Sequence, residues 1–328
     1  MTTDSRIGVT MLTHNRRQEV LHSLRQLTAL AERPAIALVD NASTDGTAEA
    51  VAAEFPEVAI IRSERNLGAA GRNLGLRHLQ TPYVAMCDDD TWWDPSGLAR
   101  AADLFDAHPQ LALVTARVLV GPEETIDPTC LLMHRSPLPA QPGMPGQPIL
   151  GFLAGASVVR REWFLQCGGF SERLFLGGEE QWVAVELAAR GWWMCYVPEL
   201  VVHHHPSACR EVSRRRWHEV RNALWFAWMR RPVQSAFRRT AELAYQRPAG
   251  DFARGAAAAL VGLPRMLGQR RIVPPAIEAA LRRLETCEAN RKVGWAERSE
   301  SHHAPESPAA AAPLATSVPT CGAQGGAP

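Results

Sequence analysis

Residues 86–95 read "MCDDDTWWDP", with three consecutive carboxylates directly behind the apolar run "YVAM". Like charges this close repel one another, and partial desolvation at a strand end costs on the order of several kcal/mol when nothing compensates them. A divalent cation resolves the conflict. Hard oxygen donors suit Mg2+ or Mn2+, which use one or two protein carboxylates and complete their shell with phosphate oxygens. In an extended segment Asp88 and Asp90 point to one side and Asp89 to the other, so a D-x-D pair can share one site. An acidic turn ahead of a helix beginning near Pro95 and Ser96 accounts for the same residues without a metal.

A second acidic pair, Glu179 and Glu180, stands in "GGFSERLFLGGEEQ", at the start of a helical pattern. Such a carboxylate can take a proton from an attacking hydroxyl. It can also simply sit well at a helix N-terminus. Further on, "VVHHHPS" holds three histidines, of which alternation lets His204, or else His203 with His205, face a given side. A neutral imidazole suits Mn2+ better than Mg2+.

The elements that must position these groups follow from hydrophobic periodicity. "IGVTML" (7–12), "AIALVD" (35–40), "VAIIRS" (58–63) and "YVAMCD" (83–88) read as strands. Between them lie helical patterns: Val20, Leu24, Leu27 and Ala31 on one face, then a helix capped by Ser43 or Thr44, then one over 69–79. This βαβαβαβ rhythm predicts an α/β fold, a mostly parallel sheet flanked by helices on both faces. Ligands in such sheets bind at the carboxyl ends of the strands. The clusters 13–16, 40–45, 66–71 and 88–90 all follow strands and converge on that edge. "TMLTHNRR" after the first strand lacks GxGxxG, and no GxxxxGK occurs anywhere, which argues against dinucleotide and P-loop chemistry.

Taken together, "TMLTHNRR", "LVDNASTDGT", "RNLGAAGRNLGL", "CDDDTWWDP", "GGFSERLFLGGEEQ" and "YVPELVVHHHPS" resemble, in order and spacing, the inverting family 2 glycosyltransferases of GT-A fold, over roughly residues 5–232. The resemblance implies a nucleotide-sugar donor, UDP- or dTDP-linked, a glycan or lipid-linked acceptor, and a Mn2+ or Mg2+ cofactor. It implies that Thr13 and Arg16 lie beside the nucleotide and that Asp40 accepts a hydrogen bond from the base. Arg72 and Asn73 then border the diphosphate, and Asp88 and Asp89 fall within the nucleotide-sugar site. Asp90, Asp88 and His204 are the implied metal ligands, and Glu180, with Glu179 beside it, occupies the position of the catalytic base. Trp182 stands where many relatives carry another acid.

Composition limits the rest. The chain has 328 residues, 46% hydrophobic content and a net charge of +1, so no chain-wide basic field invites nucleic acid. Seven scattered cysteines without a CxxC pair suit reduced thiols in the cytoplasm. The six-residue apolar run near the start is short for a leader, and "AAAALVGL" at 256–263 is short for a span. Residues 1–208 are expected to form the catalytic domain, 209–298 a helical region, and the Ser/Pro/Ala/Gly-rich 299–328 a disordered tail. Residues 209–247 carry ten arginines against three glutamates, a local charge of +7, with Trp217, Val220, Leu224 and Trp228 on one helical face. That face either packs onto the catalytic domain or rests on an anionic membrane at its inner surface. Helices are expected over 251–268 and 275–292.

Three alternatives stand beside this reading. A sugar nucleotidyltransferase would want a Gly-rich phosphate loop that "MLTHNRR" lacks, and a glycosidase would need no nucleotide site. A non-catalytic binding module of the same fold would have no need to keep Asp88, Asp90 and Glu180 together.

Overall fold

The computed structural model describes residues 4–206 and 212–287, the side chains of 212–215 excepted. The elements run β1 (Ile7–Thr13), α1 (Arg17–Thr28), β2 (Ala35–Asp40), α2 (Thr47–Glu54), β3 (Ala59–Arg62), α3 (Arg72–His78), β4 (Tyr83–Asp88), β5 (Thr91–Trp93) and α4 (Gly97–Ala107). There follow β6 (Leu111–Val120), β7 (Thr125–Ile126), α5 (Pro128–His134), β8 (Gln147–Pro148), β9 (Ala156–Arg160), α6 (Arg161–Gln166), α7 (Glu179–Ala189) and β10 (Trp193–His204). Three helices, α8 (Val212–Arg230), α9 (Val233–Gln246) and α10 (Ala249–Leu267), come next, and the chain is helical again over 275–287. The tail expected at 299–328, Cys209, and the last residues of the final predicted helix lie outside the described residues.

The sheet has the order β3-β2-β1-β4-β9-β6-β10-β5. Strands β3, β2, β1 and β4 are mutually parallel, as the βα rhythm predicts. Strand β9 runs antiparallel to both β4 and β6, so those two point the same way, and β10 is parallel to β6. The carboxyl ends of β1, β2, β4 and β10 therefore share one edge. Their interiors are apolar on both faces: Ile7, Val9, Met11, Leu38, Val84 and Met86 have no exposed surface. That is the pattern of strands covered by helices above and below. Gly75 lets α3 lie directly on β1, since a Cβ there would fall 2.0 Å from the Thr10 hydroxyl.

Three local expectations change. Helix α1 ends at Thr28, so Leu30 rather than Ala31 completes its buried face. Helix α2 is capped by Gly46 in the left-handed conformation (φ 77°), because Ser43 is taken up by the turn after β2 and the Asp45 side chain accepts from the Thr47 amide. The span 69–79 divides into a 3-10 turn, Gly68–Gly71, and then α3.

The basic, Trp-rich segment divides into α8 and α9. Val220 and Leu224 of the expected stripe are buried, Trp217 stacks between His218 and the Arg254 guanidinium, and Trp228 donates its indole N–H to Thr240 at 3.1 Å. The stripe is thus spent on packing between helices. At the end of α8 the buried Arg231 is held by Glu278 and Glu285, and Ser235 donates to Glu278 at 2.6 Å. No described helix is long and apolar enough to cross a membrane.

Candidate active site

The carboxyl edge of the sheet gathers the polar residues that the strand ends promised. Strand β4 stops at Asp88, so the next two aspartates belong to a turn and the D-x-D alternation is not carried by strand geometry. Each carboxylate has its own partner. Asp88 accepts a hydrogen bond from the Arg72 guanidinium. Asp89 turns back to the Thr13 hydroxyl, which donates at 3.0 Å. Asp90, almost fully buried, faces His204, with Oδ1 and Nε2 3.4 Å apart. Thr91 braces the turn: its hydroxyl accepts from the Asp88 amide at 2.8 Å and donates to the Gly155 carbonyl at 3.1 Å. Burial, followed by the charges of Asp90 and Asp88, pushes Asp89 up to about 7.

Alternation sorts the three histidines as expected. His204 faces Asp90, while His203 and His205 both lie against Trp92, and His203 Nε2 is 3.3 Å from Asp94. Among the described residues no cluster of three or more acidic, histidine or cysteine side chains is placed to hold a metal by itself. The donor set nevertheless fits a cation that takes part of its shell from phosphate: a carboxylate and an imidazole stand side by side in Asp90 and His204, while Asp88 is committed to Arg72.

Beside this turn lies a pocket of backbone and amide groups after β2. Asp40, 2% exposed, accepts from the Ser43 amide at 2.9 Å and lies 3.7 Å from the Arg62 guanidinium. Asn41, which motif reading passed over, ties the neighbouring loop: its amide nitrogen donates to Asn66 and to the Gly68 carbonyl, and its oxygen accepts from the Leu67 amide. Arg16 precedes α1, and its buried Nη1 has no hydrogen-bond acceptor among the described residues; its nearest acid is Glu19 at 3.6 Å. A guanidinium held this way at the mouth of the sheet is suited to an anion. Asn73 is placed differently. Its amide is used at both ends on the Phe170 backbone, donating to the carbonyl at 2.7 Å and accepting from the amide at 3.0 Å.

That Phe170 contact leads into the segment holding the acidic pair. Phe175, Gly177 and Gly178 all take positive φ (62°, 93° and 84°), a run that swings the chain sharply into α7. The two glycines adopt it without the steric cost a side chain would bring. From one side the Phe175 carbonyl accepts from the Ala69 amide at 2.7 Å. From the other, Asn222 of α8 donates its amide nitrogen to the carbonyls of Leu174, Leu176 and Gly177 at 2.9, 3.1 and 2.6 Å. Arg221 adds a bond to Leu174 and one to the Asn222 oxygen. No sequence motif marks Asn222; only its place among buried apolar neighbours on a long helix hints that it must bond inward.

Glu179 and Glu180 open α7. Glu179 is 3% exposed and its Oε2 has no hydrogen-bond partner among the described residues; Glu180 is half-buried. Burial raises both carboxyls, and the charge of Glu179 adds to it at Glu180, which is pushed up to about 8. Arg72 acts on both sides of the cleft. Burial opposes its charge, but the pull of Asp88 and then of Glu179 and Glu180 outweighs that and keeps it protonated. Thus a guanidinium, an acidic turn with an imidazole, and a carboxyl pair of raised pKa meet at one edge of the sheet.

Comparison with known proteins agrees with this architecture. Residues 9–168 match the sequence profile of glycosyl transferase family 2. An N-acetylglucosaminyl-diphospho-decaprenol L-rhamnosyltransferase of Mycobacterium tuberculosis is 27% identical over 216 residues, covering 56% of this chain and 70% of its own. The fold is similar to that of mannosyltransferase PcManGT from Pyrobaculum calidifontis, solved with GDP-Man and Mn2+, at a TM-score of 0.52 and 19% identity over 87% of this chain and 88% of that one. It is also similar to S. aureus TarS 1-349 in complex with UDP-GlcNAc, at a TM-score of 0.52 and 16% identity over 73% and 71%. Profile, sheet and neighbours point the same way: residues 9–168 belong to glycosyl transferase family 2, in a chain with the GT-A fold.

Proposed function

We propose that this glycosyltransferase inverts configuration, moving a hexosyl or deoxyhexosyl group from a UDP- or dTDP-linked donor to a hydroxyl of a glycan or lipid-linked acceptor. The observation that carries the proposal is the placement of the buried Arg72 between Asp88 and the Glu179–Glu180 pair. It supports a reading in which the donor's anionic half and a proton acceptor lie on two sides of one cleft. Asp40 and Thr13 border the nucleoside, and Arg16 and Arg72 face its diphosphate. Glu180 accepts the acceptor hydroxyl's proton as the new oxygen–carbon bond forms at the anomeric carbon. The old bond to the diphosphate breaks on the opposite face, and its electron pair leaves with the nucleoside diphosphate. A divalent cation held by Asp90 and His204 would supply further stabilisation of that departing charge.

The rhamnosyltransferase relative, named for a diphospho-decaprenol acceptor, favours a deoxyhexose donor and a lipid-linked acceptor. Residues 1–208 then form the catalytic domain and the helices over 212–285 a region that braces it, in a cytoplasmic protein. A thermal-shift panel of nucleotide sugars, with and without Mn2+, tests the reading. The correct donor at 100 times its Kd should stabilise the protein by about 2.7 kcal/mol. If no nucleotide or nucleotide sugar stabilises it under either condition, the donor site is misassigned.

A further inference from the structure

Helix α10 meets α8 through small residues along its middle, buries Met266 near its end, and turns a second apolar face outward. Against α8 lie Gly255, where a Cβ would fall 2.6 Å from the Val220 side chain, and Gly262, where it would fall 2.4 Å from the Trp225 ring. Between them Ala259 is buried, and its carbonyl accepts the Trp225 indole N–H at 3.0 Å. The opposite face shows Ala253, Ala257, Leu260, Val261 and Pro264 to solvent, with Leu260 69% and Val261 84% exposed. Leu267, the last residue of the helix, and Ile272 beyond it extend the exposed apolar surface. A surface helix ordinarily shows polar residues on its outer face, and contiguous exposed apolar surface marks a contact.

The charges around this face settle its chemistry. Arg254, Arg265, Arg270 and Arg271 are exposed, and no acidic residue occurs from 252 to 277. Asp251, at the other end of the helix, is paired with Arg216 at 3.6 Å. Apolar side chains bordered by arginines, of which, among the described residues, Arg271 alone is paired with an acid, Glu186, complement an anionic lipid surface, where acyl chains take the first and headgroups the second. The helix end is also tied to the segment that carries the acidic pair. Arg173, in the loop before α7, donates to the Arg265 carbonyl at 2.6 Å, and Arg271 lies 3.4 Å from Glu186 of α7.

We infer that the outer face of α10 is a peripheral membrane contact, which lies on an anionic bilayer and holds the Glu179–Glu180 side of the cleft near its surface. This deepens the reading of a lipid-linked acceptor and rests on it only for the purpose of the contact. The tryptophan stripe of α8, the surface that sequence alone nominates, is excluded by its packing.

Vesicle co-sedimentation of the full chain tests the inference and requires neither donor nor acceptor, so it fails independently of the transferase reading. Binding is expected to phosphatidylglycerol-rich vesicles, to be weak on pure phosphatidylcholine, and to fall as salt shortens screening below ~8 Å. Leu260→Ser with Val261→Ser, both outward-facing and so compatible with an intact fold, should weaken binding at least about tenfold with an unchanged circular dichroism spectrum. Arg265→Gln with Arg271→Gln should weaken it several-fold, and only at low salt. No sedimentation at low salt, or full binding by the Leu260/Val261 variant, overturns the proposal. So does a concentration-dependent dimer that this variant abolishes in the absence of vesicle binding, since a second copy would then be what covers the face.

Discussion

The amide nitrogen of Asn222 lies 2.6 Å from the carbonyl oxygen of Gly177, two residues ahead of Glu179. A helix late in the chain thus fixes the turn that aims the acidic pair. Asn222 is 1% exposed and serves three carbonyls, so Asn222→Ala leaves buried acceptors without donors. The expected loss is about 2–3 kcal/mol in urea unfolding, since a typical bond contributes ~1 kcal/mol and an orphaned buried group adds its desolvation cost. Amide exchange over 174–180 should rise more than over β1 or β4. Uniform exchange with wild-type stability would show that α8 does not hold the turn.

Glu180 makes stability depend on pH in a definite direction. Burial favours its protonated form, so the folded protein keeps a proton that the unfolded chain releases above about 4.5. Stability attributable to this group is present below about 4.5 and is lost as pH rises to about 8. Glu180→Gln should therefore raise Tm relative to wild type at pH 8 and leave it unchanged at pH 4, as differential scanning calorimetry would read. In turnover the same variant should keep donor binding, lose ~10²–10⁴-fold in kcat and lose the acidic limb of the pH profile. Glu179→Gln with the larger kcat loss would move the base to Glu179.

Strand ends and helix starts were legible in the sequence because each carries local chemistry. "YVAMCDDD" announces a buried strand and an acidic turn, and "LGGEEQ" announces a helix entered through glycines. The partners of those residues were not legible. That Asp88 goes to Arg72, Asp89 to Thr13 and Asp90 to His204 depends on β4 ending at Asp88, which strand alternation through the whole triplet does not anticipate. The fate of Asn73 and the tryptophan stripe was hidden for another reason. A buried amide, or an indole at helical spacing, reads the same whether it meets a ligand, a lipid or its own backbone, and only the fold decides.

Metal dependence should separate the three aspartates. With Asp88 held by Arg72 and Asp89 by Thr13, Asp90 beside His204 is the carboxylate best placed for a cation. Asp90→Asn and His204→Ala are each expected to abolish the Mn2+-dependent part of nucleoside diphosphate binding in calorimetry, because a neutral amide or a missing imidazole withdraws a donor. Asp88→Asn should instead mainly lower stability, by about 1–2 kcal/mol, by leaving the buried Arg72 charge without its partner. Mn2+ dependence that survives both the Asp90 and the His204 substitutions would remove these residues from the metal site.

Asp40 caps a turn, and one substitution can tell whether it also binds the donor's base. It is 2% exposed, it caps the turn after β2 through the Ser43 amide at 2.9 Å, and its other oxygen lies 3.7 Å from Arg62. Losing the turn bond alone should cost about 0.5–2 kcal/mol of stability, as at a helix cap. If Asp40 also receives a hydrogen bond from the donor's base, Asp40→Ala should weaken binding of the free nucleoside by a further ~1–3 kcal/mol, the worth of one charge-assisted bond. Arg62→Ala provides the control. Arg62 is exposed and reaches Asp40 only from outside, so its loss should leave nucleoside affinity within a factor of about two, as an exposed pair contributes ~0–1 kcal/mol. Calorimetry of the two variants with uridine and thymidine decides the matter: a drop confined to Asp40→Ala assigns it to the base, and equal affinities with lowered stability confine it to the turn.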